Sequence, residues 1–182
     1  MSVLDLMDYT YDDYKNWEGD WELIEGMPIS MAPAPMRIHQ QLARDIFFIL
    51  NEQINEACDA CEFLYEIDWK ISQESVVRPD ILFTCDDEGE AYLTKAPKII
   101  FEILNPSTAK KDETVKFDLY EAEGVQYYIL VYPDDLKAKA YRLIEGKYRK
   151  IADFTHEKLV FEDLGCDLEL DFGKVFGKYR KK

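Results

Sequence analysis

The chain has 182 residues, 47% of them hydrophobic, with 22 basic against 37 acidic side chains and a formal charge of −15. This length and apolar content suit one folded domain with its own core and exclude a disordered chain, while no apolar run is long enough for a membrane span. The acidic excess weighs against a protein held on nucleic acid by bulk charge, since phosphate neutralisation supplies most non-specific affinity.

The charge is uneven. Residues 1–20 form an acidic N-terminal segment, and residues 86–90 are acidic again. Lys95, Lys98, Lys110, Lys111 and Lys116 bracket the middle of the chain, and 174–182 is a basic tail. The opening Met1-Ser-Val-Leu-Asp5 lacks the charge and apolar core of a signal peptide, which predicts a cytoplasmic protein. Cys58, Cys61, Cys85 and Cys166 show no pairing signature. Cys58-Asp-Ala-Cys61 resembles half a zinc site without a second pair at ligand spacing, so the four are predicted to be ordinary thiols.

In chain order, residues 5–18 form a short acidic segment with helical character, anchored by Tyr9, Tyr11, Tyr14 and Trp17. Two short strands, Trp21 to Gly26 and Met27 to Met31, meet at a glycine turn, and Ala32-Pro-Ala-Pro35 is a stiff connector. Arg37 to about Ala57 is predicted as a helix, because residues 38, 42, 46, 49, 50 and 54 recur at three- and four-residue steps. Glu62 to Ile71 alternates Phe63, Tyr65, Ile67, Trp69 and Ile71 with polar neighbours, which predicts a half-buried strand.

Two buried strands follow, Val76 to Phe83 and Ile99 to Leu104. Each is an apolar run interrupted by one carboxylate, Asp80 in the first and Glu102 in the second. Asp112 is placed to cap a helix carrying Val115, Leu119 and Ala122 and ending at Gly124. Val125 to Tyr132 is a further apolar strand. Lys139 to Ile144 and Lys147 to Ile151 form a hairpin over Glu145-Gly146, and Leu159 to Leu170 supplies shorter strands. The order predicts a single α/β domain over 1–182: a mixed β-sheet core flanked by helices, with extra antiparallel strands.

An ionised acid in a covered strand is costly unless it is paired or binds a metal. Two such acids on neighbouring strands suggest a divalent site, and their hard oxygens suit Mg2+ or Mn2+ better than zinc. The alternative is that each acid pairs with a buried lysine, arginine or backbone donor, since structural ion pairs also produce such residues. In the common nuclease arrangement a lysine stands two residues after the second acid; that position is Leu104 here. The nearest replacement is Lys116, one turn after Asp112, which could equally be a solvated helix lysine paired to Asp112.

Pro79-Asp80, Ala96-Pro97, Phe101-Glu102-Ile-Leu-Asn-Pro-Ser-Thr108, Asp112, Lys116, Tyr120 and Gly124-Val125-Gln126-Tyr127-Tyr128 occur in a familiar order, preceded by Glu22-Leu-Ile-Glu-Gly26 and His39. Together they resemble the Uma-type putative restriction endonucleases of the PD-(D/E)XK nuclease superfamily, over roughly residues 9 to 150. The resemblance implies a restriction-endonuclease-like core, Asp80 and Glu102 as metal ligands, and Lys116 as the lysine moved from strand to helix. The acids near Lys116 would keep it charged, which predicts an electrostatic clamp on phosphate. It implies Glu22 as the acid approaching from the N-terminal region. Glu25 competes with it, since strand alternation turns the two to opposite faces. His39, at the start of the long helix, is a candidate base or a packing residue. Asn105, Tyr128 and Tyr132 depart from the family pattern, and none of them is a proposed ligand.

The expected function is metal-dependent endonucleolytic cleavage of nucleic acid, with DNA as the expected partner, Mg2+ or Mn2+ as cofactor and a homodimer as the working form. The alternative is a catalytically silent nuclease fold kept as a binding or assembly module, which the acidic balance and the missing strand lysine favour.

Overall fold

A computed structural model describes residues 8–31, 36–107 and 109–180; the connector at 32–35 lies outside them. Its centre is a six-stranded mixed sheet in the order β10-β9-β8-β7-β6-β3. These strands are β3 (Cys61–Tyr65), β6 (Ile81–Cys85), β7 (Ile99–Ile103), β8 (Tyr127–Tyr132), β9 (Lys137–Ile144) and β10 (Lys147–Phe154). Only β7 and β8 run parallel, and the helical crossover between them starts just past Glu102.

Both faces of the central strands are covered, which is why they read as continuous apolar runs. Ile81, Phe83, Ile99, Phe101, Ile129 and Val131 pack on one side with Leu42, Ile46 and Leu50 of helix α2 (Arg37–Asn51). Leu82, Ile100, Leu104, Tyr128 and Leu130 pack on the other with Trp69, Val77 and Tyr120. Over this second face lies a four-stranded sheet, β2-β1-β5-β4, made of β1 (Trp21–Ile24), β2 (Met27–Ser30), β4 (Trp69–Lys70) and β5 (Val76–Val77). Helix α1 (Tyr11–Tyr14) joins it through a small cluster of Tyr14, Leu23 and Val76, with Trp17 and Trp21 against it.

Several sequence-based expectations need correction. The long helix ends at Asn51, not Ala57; after it, Asn55 accepts a hydrogen bond from the Ala57 amide and starts a separate 3-10 turn, Glu56–Cys58. The strand expected over 62–71 is two strands in two sheets, parted at Glu66, whose φ is 50°. The run 76–83 also divides, because Arg78-Pro79-Asp80 carries the chain from the small sheet to the large one and proline has no N–H for a ladder. Asp80 therefore lies at the entry to β6 and not inside a strand. The described part of the basic tail packs on the domain: α5 (Phe172–Gly177) buries Phe172, Val175 and Phe176, and Lys178 meets Asp45 of α2 at 2.6 Å, while 181–182 lie outside the described residues.

Other expectations hold. β9 and β10 join through Glu145 and Gly146, both at positive φ, as a two-residue hairpin turn requires. β11 (Lys158–Phe161) and β12 (Leu168–Asp171) form a separate antiparallel pair. No helix among the described residues is long and apolar enough to cross a membrane.

Two of the four cysteines are not the free thiols the sequence predicts. Cys61 and Cys85 face each other in the β3–β6 register and form a disulfide, while Cys58 and Cys166 are buried free thiols. The bond closes a loop across 24 positions, so reduction, or Cys85→Ser, is expected to lower stability by about 3 kcal/mol. Urea denaturation with and without reductant measures this; coincident curves would show that β3 needs no covalent tie.

Candidate active site

Glu102 lies on the second face of β7, between Ile100 and Leu104 and beneath the small sheet. Two helices cross the same face, α3 (Ala109–Glu113) and α4 (Val115–Ala122), broken at Thr114 (φ −126°, ψ −75°). Asp112 is therefore not a cap; it sits inside α3 with its side chain buried. Nor does α4 bury the stripe of Val115, Leu119 and Ala122. It turns Lys116 and Tyr120 inward instead, leaving Val115 exposed. A helix that buries a lysine one turn from a tyrosine needs polar partners beneath it.

Those partners are acids. Lys116 Nζ lies 2.9 Å from Glu102 Oε1, 2.7 Å from Glu22 Oε1 and 3.7 Å from Asp112 Oδ1. Tyr120 donates to Glu102 Oε1 at 2.9 Å. Glu22 comes from β1, where alternation turns it with Ile24 toward the large sheet, and the Arg78 amide also donates to it. Lys111 of α3 binds its other oxygen at 2.7 Å. Glu25 lies beyond the strand, exposed and with φ 50°, so Glu22 is the acid at this site.

Asp80 stands just before Ile81, whose register partner is Phe101, so the next step of the antiparallel ladder sets Asp80 opposite Glu102. Asp80 Oδ2 accepts the Ile103 amide at 2.6 Å and lies 3.2 Å from His39 Nε2. His39 thus reaches the site from the first turn of α2, and its Nδ1 is buried with no partner among the described residues.

Four acids, Glu22, Asp80, Glu102 and Asp112, are gathered around two lysines, and the protonation tendencies reflect that imbalance. Burial alone would raise Glu22, but Lys116 and Lys111 hold it down at about 2. Glu102 shares only Lys116; burial, with Asp112, Asp80 and Glu22 nearby, pushes its carboxyl well above the usual range. Burial also raises Asp112 against the pull of both lysines. Lys116 moves up despite burial, because Glu102, Glu22 and Asp112 favour its charged form. His39 is likewise raised, the Asp80 carboxylate outweighing the effect of burial.

This arrangement has oxygens left for a divalent ion. Glu102 uses Oε1 for Lys116 and Tyr120, and Asp80 uses Oδ2 for Ile103 and His39, so Oε2 and Oδ1 are uncommitted among the described residues. No three His, Cys, Asp or Glu side chains converge as a metal cluster among those residues. The fit is that of a two-carboxylate site, which suits Mg2+ because that ion keeps several waters and takes only one or two carboxylates with substrate phosphate.

A mixed sheet with an acid at the start of one strand, an acid in the next and a lysine brought in from the crossover helix is a nuclease-type architecture. The family model described as "Putative restriction endonuclease" (Uma2) matches residues 9–172, and the chain belongs to that family. A putative nuclease of the DUF820 group from Anabaena variabilis shares the fold, with a TM-score of 0.72 over 92% of this chain and 97% of that one, at 19% identity. No curated protein matches the chain.

The structure brings together all five residues singled out in the sequence, namely Glu22, His39, Asp80, Glu102 and Lys116. Sequence reasoning missed Lys111 and Tyr120 as parts of the site. Tyr120 lies four residues after Lys116, so the inward face of α4 was available as a signal once Lys116 was placed.

Proposed function

We propose that the chain is a metal-dependent endonuclease that hydrolyses phosphodiester bonds in DNA, with Mg2+ or Mn2+ held by Asp80 and Glu102. The observation that carries this reading is the cross-strand placement of those two acids, each with an uncommitted oxygen, beside lysine-bearing helices. Membership of a restriction-endonuclease family supports it.

A bound ion would lower the pKa of a water and offset the negative charge that develops on phosphorus. The chain's own residues have separable tasks. The Ile103 amide and His39 fix the orientation of Asp80. Tyr120 and Lys116 fix Glu102, and Glu22 anchors both lysines. A symmetric pair of chains would present one such site to each strand of a duplex.

The test is calorimetric titration of Mn2+ into wild type and Asp80→Ala, run alongside Mn2+-dependent cleavage of plasmid DNA. Binding and cleavage are expected in wild type and lost together in the variant. A wild type that binds no Mn2+ would favour the silent binding module.

A further inference from the structure

We infer that Lys111, not Lys116, is the side chain that contacts the phosphate of bound nucleic acid; this rests on the nuclease reading above. An ammonium has three protons to donate. Those of Lys116 face Glu22, Glu102 and Asp112, and its side chain is 3% exposed. Glu22 and Glu102 hold it closely at 2.7 and 2.9 Å, Asp112 is a looser neighbour at 3.7 Å, and burial leaves it no route to a ligand without abandoning those acids. Among the described residues Lys111 has one carboxylate partner, Glu22 Oε2 at 2.7 Å, and its side chain is 16% exposed. Two of its protons remain for an incoming oxyanion.

Its position fits that task. Lys111 sits on α3, the element that follows the loop leaving the end of the Glu102 strand, and its stem reaches Glu22 inside the acid cluster. The Glu22 carboxylate then bridges two lysines: Lys116, buried on one oxygen, and the more exposed Lys111 on the other. Lys116 is a positioning residue for Glu102, and Lys111 supplies the positive charge that a phosphate meets.

The experiment is DNA binding against salt concentration, with Ca2+ replacing Mn2+ to suppress cleavage, for wild type, Lys111→Met and Lys111→Arg. Loss of one phosphate contact is expected to weaken binding and reduce the slope of log K against log salt by about 0.9. Lys111→Arg is expected to keep the wild-type slope. Glu22 retains Lys116 and the Arg78 amide in both variants, so calorimetric Mn2+ binding is expected to persist. An unchanged slope in Lys111→Met, with wild type binding and cutting DNA, overturns this inference alone. A wild type that neither binds nor cuts DNA overturns the nuclease reading and this assignment with it.

Discussion

Alanine at Lys116 is expected to destabilise the protein by about 3–5 kcal/mol, the range for removing one partner of a buried ion pair. The reason is the number of acids it serves. Glu22, Glu102 and Asp112 are 0%, 4% and 4% exposed, and Lys116 is the cation within ion-pair distance of all three. Against a total stability of about 5–15 kcal/mol, such a loss leaves a measurable unfolded fraction. Lys116→Met keeps most of the stem and is expected to lose nearly as much, since the missing element is charge and not volume. The deficit is expected to shrink as pH falls toward the ordinary carboxylate range. Glu102 and Asp112 have raised folded-state pKa values, so they become neutral first and no longer need the ammonium. Urea denaturation across that pH range, without metal, reads the effect. A loss of only about 0.3–0.5 kcal/mol would identify Lys116 as a solvated helix lysine paired to Asp112.

Glu102→Gln is expected to move stability and function in opposite directions. Its amide oxygen can accept from both Tyr120 and Lys116, while the substitution removes one of four crowded acids. A gain of about 0.5–2 kcal/mol is expected, typical of relieving a functional site. The sign follows from linkage. A carboxyl with a raised folded-state pKa costs stability that builds up from its unfolded-state pKa to its folded one, so the gain is largest in alkaline solution and fades only as pH falls to the ordinary carboxylate range. Metal binding, by contrast, loses a charged ligand. Cleavage is expected to fall by more than the roughly 10–100-fold typical of outer-shell partners. Urea midpoints at pH 6 and pH 9, with a Mn2+ titration, measure both. A Glu102→Gln protein less stable than wild type at pH 9 would mean that the Lys116 attraction outweighs the crowding.

Both results depend on residues whose type could be read from the sequence and whose partners could not. Asp80 and Glu102 stood out because a lone acid in an apolar run conflicts with burial, and that conflict is local. The strands at 99–104 and 125–132 and the 145–146 hairpin were legible for similar reasons of composition and turn chemistry. What failed depended on tertiary context. The face that α4 buries is set by the acids beneath it, so a stripe of Val115, Leu119 and Ala122 pointed the wrong way. The Cys61–Cys85 bond is a matter of strand register across 24 positions, which spacing alone does not reveal. The role of Lys111 depends on Glu22, which the small sheet brings over the Glu102 strand from 89 positions away. The break at Glu66 depends on a left-handed backbone in a non-glycine residue, for which the local sequence offers no warning.

The outer strand β10 bears on how this molecule can associate. It ends the large sheet as an edge strand, the kind of row that can template fibrous growth, although its Tyr148 amide already donates to Glu121 of α4. Lys147, Arg149 and Lys150 line its length, and the pairing slips between Lys150 and Ala152, where Ile151 is left 43% exposed. Like-charged side chains and a bulge are the features that keep a free edge from recruiting its twin. Two copies are therefore expected to meet through some other surface, and extension of the sheet into a continuous double-width platform is disfavoured. Charge-removing substitutions on this strand, made in pursuit of crystals or tighter DNA binding, would carry a hazard of aggregation unrelated to the active site.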